Sequence, residues 1–466
     1  MVGLKFFGGI NEIGGNKILV EDRKNDARVF LDFGMNFRIH SMYFEEFIQP
    51  RTSNGITDFL ETGLLPNIDG IYRKDLLKFA GKQTHDTPLV DAVILSHAHL
   101  DHAAHISFLD EDIPIYCNAI TRAVLEAIQE TSPRRMESEI LDYKRRPLLN
   151  QKDRPVERSF KIVDGKFKVG GLEMEMLPVD HSVPGASALI IYGFDKTIAY
   201  SGDLRLHGTD GMLTMQFVDK LKSVRPDIFL CEGTRIDETE RNTEAYVKTN
   251  SEKVISQTKG LVVADFAFKD ITRFKTFFEI AKSTQRKLAI PFRDAYYIRK
   301  LSTLIRGLPS LKDDQILLYQ DKRNTGTYRD SDYGAKWENE FLHQPNTVRA
   351  DHIAKYQDEV MVAIGYYDIV ELIDMMPRPG SAYIKSASEV INEEQEFDLD
   401  RLKAWLDHFG MRYHHFHASG HAPRDDLALV MNDSNARKLV PIHTEHPEMY
   451  EMIARGKSVE MPSLAT

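Results

Sequence analysis

At 466 residues the chain exceeds what one compact core organises, so two or three domains are expected. A net charge of −10 excludes a protein that coats nucleic acid non-specifically, which needs many lysine and arginine contacts, but leaves room for a nucleic-acid enzyme with a locally positive surface. Only two cysteines, Cys117 and Cys231, argue against a disulfide framework; with no run of about 18 apolar residues and no charged leader in Met1–Phe7, a cytoplasmic protein without membrane contact is expected.

Lys17–Val20 and Arg28–Leu31 alternate with turn-forming glycine and asparagine and read as strands. The segment from Phe37 to His85 either borders a site or only covers the sheet. Val90–Leu95 is short, apolar and β-branched, the pattern of a buried strand. Past its end comes His97-Ala98-His99-Leu100-Asp101-His102, three imidazoles and a carboxylate on one loop. Those are the ligands zinc takes when no thiolate is offered, and the cluster has little other use. Basic clusters at Pro133–Arg135, Lys144–Arg146 and Lys152–Arg158 fit solvated faces as well as they fit a nucleic-acid surface.

Further strands are expected at Ala188–Tyr192, Thr197–Tyr200 and Asp227–Cys231. From Gly260 the pattern changes. Strands at Leu261–Ala264, Leu288–Ile290, Ile316–Leu318 and Val360–Ile364 alternate with helical stretches such as Ile271–Thr284, which predicts a parallel α/β unit. Asp321–His352 is polar and irregular and reads as a flexible surface segment. A helix at Leu399–Phe409 and a histidine-rich run follow. Metal-type sequence at both ends of the chain, with a different pattern between, predicts an inserted domain.

Four more segments place a ligand type after an apolar strand: Asp32, His181, Asp203 and His443. Each alone is as well explained by a hydrogen-bonded surface residue. Together with the six-residue loop they form a pattern, joined by Gly8-Gly9-Ile10-Asn11-Glu12-Ile13-Gly14-Gly15-Asn16 near the start. His417-Ala418-Ser419-Gly420-His421-Ala422 and Pro441-Ile442-His443 add to it near the end. The set resembles the metallo-β-lactamase superfamily and, within it, the β-CASP nucleases, most of all the ribonuclease J family in its shorter archaeal form.

The resemblance implies an α/β fold, a metallo-β-lactamase αββα sandwich formed by residues 1–235 and 386–466. An inserted β-CASP α/β domain over 236–385 would close over it as a channel for a single strand. It implies two zinc ions, with manganese able to substitute. His97, His99 and His181 would hold the first, Asp101, His102 and His443 the second, and Asp203 would bridge both; Asp32 would orient a ligand. Asp101, Glu232 and His421 are the implied catalytic residues, with Glu232 fixing the His421 ring so that it protonates the leaving 3′ oxygen. Asp265 is a rival acid ranked below Glu232. His417, Ser419, Gly420 and His421 would bind a substrate phosphate. Arg273 and Arg293 would reach another phosphate or form surface salt bridges, while His414 and His415 would pack or face solvent.

The implied activity is hydrolysis of single-stranded RNA bearing a 5′-monophosphate, leaving 5′-phosphate products. The implied mode is 5′→3′ exonucleolytic, with endonuclease activity beside it and a homodimer left open. RNA over DNA rests on His443, where DNA-acting members usually carry valine. A DNA nuclease of the same fold stays as the alternative. A small-molecule metallo-hydrolase needs no inserted domain, and a non-catalytic scaffold typically loses ligands that are all present in this chain.

Overall fold

In the computed structural model, residues 1–45, 47–146, 154–387 and 393–465 are described; Lys152 of the third basic cluster lies outside them. The chain divides into two compact units. The first comprises Met1–Leu206, Asp210–Glu240 and Gly420–Thr466, and the second His207–Thr209 and Arg241–Ser419. Among the described residues no helix is long and apolar enough to cross a membrane.

Two sheets face one another in the first unit. One has six strands in the order Val2–Phe6, Ile18–Asp22, Ala27–Leu31, Ala92–Ile94, Ile115–Cys117 and Phe160–Ile162, parallel from the third onward. The other has seven strands, and its parallel half runs Ser458–Val459, Lys438–Ile442, Ile228–Glu232 and Thr197–Tyr200. Side chains alternate across a strand, so Ile18, Val20, Val29, Leu31 and Ile94 from the first sheet meet Met174, Met176, Leu189, Ile191 and Tyr200 from the second in a shared core. The opposite face of the second sheet, through Ile190, Ala199, Phe229 and Cys231, is covered by Phe217, Val218 and Leu221 of the helix Gly211–Val224 and by Leu427, Val430 and Met431 of the helix Arg424–Asp433. Phe30 and Val93, on the outer face of the first sheet, are also fully buried. Burying such side chains on both faces, at about 1.5–3 kcal/mol each, is what holds the helix–sheet–sheet–helix layers together.

The second unit is a seven-stranded sheet in which every neighbouring pair is parallel. Its order is Thr347–Val348, Ile316–Tyr319, Lys287–Pro291, Val360–Val362, Val262–Asp265, Ala382–Lys385 and Arg412–His415. The expected division at 385 is corrected to 419. Arg412–His415 pairs with Ala382–Lys385, and Leu402 and Leu406 of the helix Glu393–Phe409 join Val263 and Tyr383 in the core of this unit. The segment 321–352 is not a flexible surface stretch either. Tyr333, Trp337, Phe341 and Leu342 are buried, Asp332 accepts from Thr325 Oγ1 (2.7 Å) and the Arg329 amide (3.1 Å), and Arg323 pairs with Glu338.

Two buried ionisable groups in this unit each make a prediction. Arg273, fully buried in the helix Ile271–Ser283, donates through Nε and Nη2 to Glu244 (3.1 and 2.9 Å) and through Nη2 to the Ala418 carbonyl (3.1 Å). Arg273→Ala strands the buried Glu244 carboxylate and is expected to cost about 3–5 kcal/mol in a denaturant titration; wild-type stability would contradict the pairing. Asp294 lies in the first turn of the helix Phe292–Leu301. Burial pushes its carboxyl up to about 7, against Arg293 and helped by Asp368. The folded chain thus keeps a proton that the unfolded chain releases near pH 4, so stability falls as pH rises from about 4 to about 7. Asp294→Asn is expected to raise Tm at pH 8 by about 2–4 °C or more and to change it little at pH 4.

Candidate metal centre

Parallel strands end at a common edge, and in the first unit ligand-type side chains follow those ends. Asp32 follows Ala27–Leu31, the His97–His102 loop follows Ala92–Ile94, and Asp203 follows Thr197–Tyr200. Glu232 closes Ile228–Glu232, and His443 follows Lys438–Ile442. The ligand loop is held by backbone from both sides. Gly15 and Asn16 amides donate to the Asp101 carbonyl (3.0 and 3.2 Å), the Phe33 amide to His102 (2.8 Å) and the Met35 amide to Leu100 (3.0 Å). Only glycine fits at position 34, where a Cβ would stand 1.6 Å from the Asp101 carbonyl oxygen.

Two groups of side chains converge. His97, His99, His181 and Asp203 form one, and Asp101, His102, Asp203 and His443 the other, with ligand atoms in each within 4.8 Å of one another. In the first group His99 Nδ1 lies 3.2 Å from His97 Nε2 and 3.0 Å from His181 Nε2, and Asp203 Oδ2 is 3.5 Å from His97 Nε2. In the second, His443 Nε2 lies 3.2 Å from Asp101 Oδ2, and His102 Nε2 lies 3.1 Å from Asp203 Oδ2. A tetrahedral ion with bonds of about 2.0–2.1 Å needs neighbouring ligand atoms about 3.3 Å apart, so both groups fit. Asp203 Oδ2 is common to them.

The outer hydrogen bonds decide which nitrogen each ring presents. His102 Nδ1 donates to Asp32 Oδ2 (2.7 Å), and His181 Nδ1 to the Gly420 carbonyl (2.5 Å). Ser96 Oγ gives its hydrogen to Asp32 Oδ2 (2.7 Å) and so accepts from His97 Nδ1 (2.9 Å). Thr234 Oγ1 gives its hydrogen to Glu232 Oε2 (2.7 Å) and accepts from His443 Nδ1 (2.9 Å). Four rings thereby turn Nε2 inward, the atom that a metal would take in place of any proton there. Asp32 also accepts from the Ser96 amide (2.7 Å) and Tyr200 OH (2.5 Å), and it sits in the left-handed region at φ 56°. A non-glycine residue held there costs about 1–3 kcal/mol, so the surroundings impose its position. Asp32→Ala is expected to weaken metal binding about 10–100-fold, measured with a chelating competitor; unchanged affinity would remove Asp32 from this role.

Electrostatics favour a cation. Burial and the neighbouring rings hold His97 and His181 well below the ordinary histidine range, so both stay neutral with lone pairs free. Burial also opposes charge on His102, yet Asp203, Asp101 and Asp32 outweigh it and raise that ring well above its usual pKa. Both Asp203 oxygens and His102 Nε2 are buried without a hydrogen-bond partner among the described residues. A buried carboxylate ringed by imidazoles, with no well-directed hydrogen bond to either oxygen, is a place where a positive ion is favoured. The donor set is that of a metal centre.

Beside it, His421 Nδ1 lies 3.2 Å from Glu232 Oε1, and His421 Nε2 lies 4.0 Å from Asp203 Oδ2. Burial works against a charged His421, but Glu232 and then Asp203 raise it to about 8. Glu232, fully buried, also accepts from the Leu204 amide (3.1 Å) and the Thr234 amide (2.9 Å), so its place is over-determined. Gly420 lies in this unit, where a Cβ would strike Ser182 Oγ at 2.5 Å. His417 and Ser419 lie in the second unit, His417 Nδ1 being 3.3 Å from the Ser386 carbonyl and the Ser419 carbonyl accepting from His207 Nε2 (3.1 Å).

Other sequence candidates take ordinary places. Of the two places left open for each arginine, Arg273 takes neither, being fully buried against Glu244, while Arg293 forms half-exposed ion pairs with Asp294 and Asp368 (3.6 Å each). Asp265 accepts from Tyr383 OH (2.7 Å) within the second unit. Ser96, Thr234 and Tyr200 were not singled out from sequence, although Thr234 follows Glu232 by two residues and a hydroxyl there is a visible signal.

Residues 69–256 match the β-lactamase superfamily domain, and residues 408–461 match the Zn-dependent metallo-hydrolase RNA specificity domain. Ribonuclease J of Mycoplasma genitalium is 23% identical over 462 residues, covering 95% of this chain and 68% of that protein. Ribonuclease J of Pyrococcus abyssi is 22% identical, covering 96% and 90%. A crystal structure of an Enterococcus faecalis protein of unknown function superposes with a TM-score of 0.75 at 24% identity, covering 99% of this chain and 98% of that one, which establishes the shared fold.

Proposed function

We propose that this chain, a metallo-β-lactamase superfamily protein carrying an RNA specificity domain, is a metal-dependent ribonuclease of the ribonuclease J type. The observation that carries the reading is the sharing of Asp203 Oδ2 between two ligand groups, with the His421–Glu232 pair beside it. Two divalent ions, zinc by the donor set with manganese able to substitute, would supply Lewis acidity and an activated water there. Asp203 would offset repulsion between two cations, His97, His99 and His181 would hold the first, and Asp101, His102 and His443 the second. His421 keeps a proton at Nδ1 against Glu232 and offers another at Nε2 to the departing 3′ oxygen, so products carry a 5′-phosphate.

The substrate class is single-stranded RNA, with a 5′-monophosphate preferred and digestion from the 5′ end; His417 and Ser419 would meet a phosphate. Residues 241–419 take the part of a β-CASP insert. RNA is favoured over DNA because the RNA specificity domain covers both His421 and His443. Matched end-labelled RNA and DNA strands with zinc or manganese test this. RNA cleavage, stronger for a 5′-monophosphate than a triphosphate, is expected; cleavage of DNA alone, or of neither, would overturn it.

A further inference from the structure

The chain leaves the ligand loop through Met35, bonded to Leu100, and Asn36. Asn36 Nδ2 donates to Glu12 Oε2 (2.5 Å), and its Oδ1 accepts from the Ile39 amide (2.8 Å), which starts the helix Phe37–Tyr43. That helix buries none of its residues. It is pinned from behind by Phe44, whose ring packs against His40 (5.5 Å) and Phe59 (6.4 Å). Outward, Phe37 is 50% exposed, Met42 64%, Tyr43 49%, Phe47 86% and Ile48 56%. Five large apolar side chains exposed within twelve residues mark an interaction surface rather than scatter.

Its cations say what kind. Arg38 is exposed, shares the solvent side of the helix with Met42 four residues on, and forms no ion pair among the described residues. Arg135, also exposed, reaches Gln49 Oε1 across the segment (3.0 Å). Arg51 by contrast is held by Asp58 (2.6 Å). The acidic exceptions are Glu45 and, between it and Phe47 in sequence, Glu46, together with Glu12, which feels the Arg38 charge. Flat rings with unpaired guanidinium groups suit single-stranded nucleic acid, whose bases stack on aromatics and whose phosphates seek cations. Seven helical residues span only about 10 Å, short for a helix lying in a membrane surface.

We infer that Phe37, Tyr43 and Phe47, with Arg38 and Arg135, form a stacking surface for the nucleotides adjoining the scissile bond. This rests on the ribonuclease reading. It also gives the segment from Phe37 onward a role bordering the site. The test is anisotropy of a fluorescent, phosphorothioate-linked single-stranded RNA with the metal-loaded protein, beside cleavage of the unmodified strand. The combined Phe37→Ala, Tyr43→Ala and Phe47→Ala variant is expected to keep its Tm, since these side chains face solvent, and to bind at least about tenfold more weakly. Arg38→Gln is expected to lower the salt slope of log Kd by about 0.7. A wild type that cleaves RNA with a triple variant binding equally well overturns the surface and leaves the function. A wild type that neither binds nor cleaves RNA overturns both. Sedimentation in which the variant splits a wild-type dimer would assign the patch to self-association and overturn the inference.

Discussion

Asp203→Ala is expected to abolish strand cleavage and to release bound metal from both ligand groups together. Asp203 Oδ2 is the atom common to the two groups, 3.5 Å from His97 Nε2 and 3.1 Å from His102 Nε2. On the two-ion proposal, removing it would take a ligand from each ion and the negative charge that would let two cations stand near one another. Losing an outer partner of a ligand costs about 10–100-fold in affinity, and losing a shared ligand costs more. Asp203→Asn separates the terms, because it keeps the shape and loses the charge. Metal content after dialysis reads the result. A variant that retains two ions and cleaves normally would contradict the shared-ligand arrangement.

His421→Ala makes the complementary prediction, loss of cleavage by about 10²–10⁴-fold with metal content unchanged. The ring is outside both ligand groups, and its Nδ1 is held by Glu232. Its charge is therefore available for a leaving group rather than for an ion. An aryl phosphodiester, whose phenolate departs without a proton, is expected to lose far less in the variant than RNA does. Glu232→Gln keeps an acceptor for Nδ1 but not the charge that raises His421, so it is expected to fall between wild type and His421→Ala. Equal losses on both substrates would show that His421 only shapes the site.

The loop from His97 to His102 was legible because its chemistry is local: three imidazoles and a carboxylate within six residues, just past an apolar strand. Asp203, His181 and His443 were legible only as members of a family pattern, since each alone resembles any polar residue after a strand. The tautomer-setting partners were not legible. Ser96 O–H pointing to Asp32, Thr234 linking Glu232 to His443, and the Gly420 carbonyl under His181 exist only once distant strands meet. The second unit's far boundary was misplaced because Arg412–His415 is a half-exposed edge strand of arginine, tyrosine and histidines, with no apolar alternation to mark it. Residues 321–352 misled for a related reason. Their burial comes through spaced aromatics such as Tyr333 and Trp337, held by carboxylate turns rather than by a periodic face.

Metal titration decides whether this protein is a ribonuclease working through two ions at Asp203. Protein stripped by chelation is given zinc or manganese stepwise, and cleavage of end-labelled single-stranded RNA is followed. The stripped protein is expected to leave RNA intact, activity to reach its plateau at two ions per chain, and the products to carry a 5′-phosphate. Undiminished cleavage after stripping, or intact RNA with both ions bound, would contradict it.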